Sequence, residues 1–219
     1  VTLDASPRSS GSRDRDRYSR SIARNDARIP AVVIGASIPA VAQAHFNSSG
    51  LGPVYDGALH FFASPEDCAA VVALALLAGL RGAAHGRRVL FVLPFAWLLG
   101  SVLGLAAVMT QASPALSASW LLALGVLVAL DARLSPTVIT ALAALLGLVH
   151  GYSNGSGMDM TRPVLIALVG LSATVFVAVA LPAAAVIRFG DAWRQIAVRV
   201  AGSWIAASGL LLLGWALRG

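Results

Sequence analysis

"PVYDGALHFFASPEDCAAVVALALLAGLR", residues 53–81, contains two helices rather than one. Pro53 can open the first. Ser64 then supplies a cap, Pro65 suits a first helical position, and Asp67 stands three residues after the cap, which together restart the chain as a new helix. The piece from 53 to 63 is too short to cross a bilayer, which takes about 20 residues, and suits a re-entrant or interfacial helix. The second piece carries no charge between Asp67 and Arg81 and reads as a first membrane span.

The rest of the composition agrees. The chain has 219 residues, is 58% hydrophobic and only 12% charged, with a mean hydropathy of +0.79. Soluble domains carry about 25% charged residues. All 16 basic residues are arginine, and seven of them lie in the first 28 residues, with most of the others flanking apolar runs. That distribution argues against nucleic-acid binding and for a lipid bilayer as the partner. The lone cysteine, Cys68, excludes an internal disulfide framework and reads as a small buried hydrophobe.

Residues 1–28 mix Arg, Asp and Ser with few apolar residues and are expected to be disordered. Residues 29–44, "IPAVVIGASIPAVAQA", follow arginines and close on Ala42-Gln43-Ala44. This is the pattern of a cleavable secretory signal, with cleavage expected before His45. Residues 45–219 then form a membrane domain. Further spans are expected at about 89–109, 117–130, 136–150, 163–187 and 197–217. The fold class is therefore all-α, a polytopic membrane protein of about six transmembrane helices plus the short helix before the first.

Loop charges orient it. The loops after spans one, three and five hold Arg81, Arg87, Arg88, Arg133, Arg188, Arg194 and Arg199, whereas the other ends hold only Arg162 and Arg218. The positive-inside rule puts the first set in the cytoplasm and the mature N-terminus outside, as signal cleavage requires. The expected location is a bacterial inner membrane.

Few residues can carry chemistry. Asp56 and His60 are four apart and share one face of the short helix. His150 ends span four on the same outer side, and His45 lies there too. Imidazole and carboxylate together suit a borderline divalent ion such as Ni²⁺, Co²⁺ or Zn²⁺. Ionisable groups at membrane depth are costly and usually face a partner or an aqueous path. The plainer alternative is an Asp56–His60 pair that orients the short helix. "HGYSNGSGMDM", 150–160, reads as a glycine-rich outer turn containing Asn154 and Asp159. Asp131 reads as an interfacial ion pair with nearby Arg133, His85 as a solvated cytoplasmic residue, and Glu66 and Asp67 as complements to a helix dipole.

At three of these stretches the chain resembles the HupE/UreJ family of nickel and cobalt permeases and hydrogenase or urease accessory proteins. They are "GLGPVYDGALHFFASPED" (50–67), "HGYSNGSGM" (150–158) and "VRVAGSWIAASGLLLLGW" (198–215). The resemblance implies a secondary-type permease whose substrate is Ni²⁺ or Co²⁺, with metalloenzyme maturation proteins as further partners. It implies metal ligands at His45, Asp56, His60 and His150, with Tyr55, Asn154 and Asp159 supporting them. Two departures stand out. Three residues separate Asp56 from His60 where the best-known permeases have Asp and His adjacent, and Asn154 occupies the second histidine position of an H-G-x-x-H-G pattern. Two other classes fit the residues less well: a membrane-embedded metal hydrolase, which lacks an H-E-x-x-H or comparable motif here, and a non-transporting assembly subunit of a membrane complex.

Overall fold

The computed structural model describes residues 1–2, 50–106, 113–158, 163–188 and 191–218. The segments expected to be a disordered extension (from residue 3) and a cleavable signal, together with His45 and Asp159, lie outside the described residues. Seven helices, and no strand among the described residues, make up the protein within the unit Ala44–Gly219. They are α1 (Pro53–Ala63), α2 (Pro65–Leu80), α3 (Ala83–Ala106), α4 (Pro114–Ala129), α5 (Pro136–Ser156), α6 (Val164–Arg188) and α7 (Asp191–Ala216).

Ser-Pro steps start three of these helices. Proline at the first helical position has no N–H to leave unpaired, and the preceding serine can accept from an orphan donor. Ser113 Oγ accepts from the Leu116 N–H, and Ser135 Oγ from the Val138 N–H. Ser64 makes no such cap. It is instead the corner of an 83° bend between α1 and α2.

Four helices, α3, α5, α6 and the 195–216 part of α7, are long and apolar enough to cross a membrane, and the bent pair α1–α2 would be a fifth crossing. Six apolar helices lie where six spans were expected, but α4 has only 16 residues. At 1.5 Å per residue it reaches about 24 Å, short of a full crossing of about 30 Å.

Helix α2 is the hub. Its residues Val71, Ala73, Leu74, Ala75, Leu77 and Ala78 have no exposed surface. Three helix pairs surround it: α3 with α5, α4 with α7, and α1 with α6. In lipid, helices associate through close packing and hydrogen bonds, so small residues mark the contacts. Gly147, Gly151 and Gly155 lie one turn apart on α5, and a Cβ on Gly151 or Gly155 would stand 2.2 or 2.0 Å from the carbonyl oxygen of Trp97 or Ser101 on α3. This corrects the expected turn at 150–160. The glycines of "HGYSNGS" belong to a helix that runs to Ser156, and they serve close packing rather than chain reversal.

One end of the bundle brings together the end of α2, the end of α4 and the first part of α7. Arg81, at the end of α2, pairs with Asp131, which follows α4. Arg199 donates from Nε to the Ala129 carbonyl at 2.9 Å. Asp131 thus sits in an ion pair as expected, but its partner is Arg81, fifty positions away, rather than nearby Arg133.

Candidate functional site

The hub helix carries the centre of the polar site. Asp67 lies in the first turn of α2 and is buried. Its Oδ1 accepts from His150 Nδ1 at 2.6 Å, and its Oδ2 accepts from Asn154 Nδ2 at 2.9 Å. The Asn154 amide also donates to the His150 carbonyl at 2.9 Å, one turn back on α5. One carboxylate thus joins α2 to two residues on one face of α5.

His150 is only 3% exposed. Because a carboxylate can only accept, the contact places a proton on Nδ1, and in the neutral imidazole the lone pair is then on Nε2. Nε2 is buried and has no hydrogen-bond partner among the described residues. The Trp97 ring of α3 lies against the imidazole at 5.7 Å between centroids, with 35° between planes. The ring is therefore held by a carboxylate on one edge and an indole on one face, and its other nitrogen meets no hydrogen-bond partner among the described residues. Carboxylate-oriented imidazoles of this kind are common behind metal ions, where the carboxylate sets tautomer and orientation.

His60 joins this group from α1. Its half-buried imidazole faces the Asn154 side chain and lies within electrostatic reach of Asp67. Glu66, exposed at the position before Asp67 on α2, lies within electrostatic reach of Asp67 and His150. Cys68 donates its S–H to the Phe61 carbonyl at 3.3 Å. Among the described residues, no three His, Cys, Asp or Glu side chains form a group able to hold a metal ion.

Of the residues singled out from the sequence, the structure brings His60, His150 and Asn154 together. Asp56 is buried on α1, one turn before His60, and Tyr55 is exposed. Asp67 is the residue that sequence reasoning missed, since an acid in a first helical turn is ordinarily a partner for the helix dipole. One signal was present. Glu66 and Asp67 are adjacent, so they point about 100° apart on a helix of 3.6 residues per turn, and only one of them need face solvent.

A helical bundle with four or five membrane-crossing helices and a buried carboxylate–imidazole–amide group defines a polytopic membrane protein with a polar site inside it. The chain belongs to the HupE / UreJ protein family, whose model matches residues 32–212. It is 27% identical over 195 residues to Protein HupE of Rhizobium leguminosarum bv. viciae, an alignment that covers 85% of this chain and 97% of that protein. No solved structure matches it.

Proposed function

We propose that this protein is a secondary-type permease of the bacterial inner membrane that admits a divalent transition metal, nickel or cobalt, from the outer face. The observation that carries the proposal is the buried Nε2 of His150, without a partner among the described residues and aimed by Asp67. An unsatisfied imidazole nitrogen inside a membrane bundle is costly unless something binds it. A borderline cation that prefers nitrogen ligands is suited to that place, and Zn²⁺ is its natural competitor.

In this reading His45 captures the ion at the outer face. His60 and Asp56 on α1 pass it to His150, and Asp67 and Asn154 hold that ring in its binding form. Inside-negative potential supplies about 2.3 kcal/mol per charge per 100 mV, hence about 4.6 kcal/mol for a divalent cation moving inward. Delivery to hydrogenase or urease maturation proteins would consume the metal inside. The protein's own residues need only bind and release, so the role is transport rather than catalysis.

Elemental analysis and nickel titration of the purified protein test this, beside His150→Gln. Metal bound at a fixed ratio by the native chain and lost in the variant is the expected result. A native chain that binds neither nickel nor cobalt would refute the reading.

A further inference from the structure

Helix α7 is the least enclosed of the long spans. Its apolar window is 17% buried, against 33–44% for α3, α5 and α6. The buried side is a strip of small residues: Gly202 and Gly209 approach α4 at Ala129 and Leu122, and Ala206 approaches Gly125. Trp193, Trp204 and Trp215 recur every eleven residues, which returns to nearly the same face after three turns. All three are exposed, at 81%, 73% and 79%.

The two outer tryptophans need no special account, because indoles favour the two membrane interfaces, where the ring is greasy and the N–H is wet. Trp204 is different. It lies at the middle of the 195–216 span, about 15 Å from either interface of a 30 Å core. Its indole N–H has no partner among the described residues, and lipid tails offer no acceptor. One helical turn further along the same face, Ser208 donates its hydroxyl proton to the Trp204 carbonyl at 3.0 Å and keeps acceptor capacity on Oγ. The patch therefore holds a donor and an acceptor that are not paired with each other in the structure. A two-fold interface, in which the same patch meets itself, pairs such groups reciprocally.

We propose that this outer face of α7, centred on Trp204 and flanked by Val200, Ala207, Ser208 and Leu211, is a homodimer interface. The occupant is a second copy of this chain, parallel in the membrane. Each Trp204 indole reaches the other copy's Ser208 hydroxyl across the two-fold axis, and exposed Ala207 leaves room for the ring. The proposal is independent of the transport reading, since none of these residues belongs to the polar site.

Cysteine cross-linking in native membranes tests it. Ser208→Cys in the full chain should give an oxidation-dependent dimer, whereas the unaltered chain, with Cys68 as its sole cysteine, should not. Single-molecule photobleaching of the labelled native chain in lipid should show two steps. Trp204→Phe keeps an aromatic ring and removes the N–H, and loss of two symmetric hydrogen bonds should weaken the dimer about eightfold. Trp204→Ala should weaken it further, and Trp193→Phe should leave it unchanged. One-step photobleaching, or a dimer as strong with Trp204→Ala as without it, would overturn the proposal.

Discussion

Replacing Asp67 by Asn separates the two things that this carboxylate does. In the native protein both oxygens accept, one from His150 Nδ1 at 2.6 Å and one from Asn154 Nδ2 at 2.9 Å. An amide in the same place has one accepting oxygen and one donating nitrogen. Turned toward Asn154, its oxygen preserves that bond and its nitrogen faces His150. The imidazole can then accept at Nδ1 only by moving its proton to Nε2. Both contacts survive, so the fold should lose little stability, but the nitrogen left for a metal now carries a hydrogen. Regaining the binding tautomer means giving up one buried hydrogen bond, about 1–3 kcal/mol, which is roughly 5- to 150-fold in affinity. Outer ligands of metal-bound histidines carry penalties of similar size, about 10- to 100-fold. Nickel titration of the purified variant in lipid discs reads the affinity, nitrogen-15 chemical shifts of His150 read the tautomer, and thermal unfolding reads the fold. If Asp67→Asn binds nickel as tightly as the native chain, the assignment of His150 Nε2 as a ligand is wrong.

His60→Ala should abolish metal-dependent accumulation in cells while leaving the protein folded; native levels of uptake would remove α1 from the path. Gly151→Ala should destabilise the bundle by about 1–3 kcal/mol, because the added methyl meets the Trp97 carbonyl and forces α3 and α5 apart. Gly214→Ala, where a Cβ meets nothing within 4 Å, should instead gain up to about 1 kcal/mol from helix propensity. Thermal denaturation of the two in the same detergent checks the pair. Arg81→Gln and Asp131→Asn should each lower stability, and the double variant should be little worse than either, since both remove one partly buried ion pair. Additive losses in that cycle would show that the two groups act separately.

Helix positions were legible because apolar length and Ser-Pro starts are local properties. The spans read at 163–187 and 197–217 correspond to α6 and α7, and the restart at Ser64 marks the boundary between α1 and α2. The site was only half legible. His60 and His150 stand out as rare imidazoles in an apolar chain, but Asp67 looks like an ordinary first-turn acid until α5 is packed beside it. That contact joins residues 83 positions apart and leaves no periodicity in either segment. The "HGYSNGS" segment misleads for a related reason. Glycine permits both a turn and a close helix contact, and which one occurs depends on the facing backbone of α3. Asp131 likewise has Arg133 near it in sequence but Arg81 near it in space.

The length of α4 bears on the lipid around it. Ser113 caps its start and its last turn closes at Leu130, so the helix has no evident reserve to extend. At about 24 Å it falls roughly 6 Å short of an average hydrocarbon core. Leu116, Val126 and Leu130 are exposed along it, so the bilayer meets that deficit directly. If α4 crosses, the bilayer around it thins, at a cost of fractions of a kcal/mol per Å. Such a protein should be most stable in short-chain lipids and should concentrate in thin regions of a mixed membrane. Acyl-chain length then becomes a control on where in a mixed membrane this protein resides.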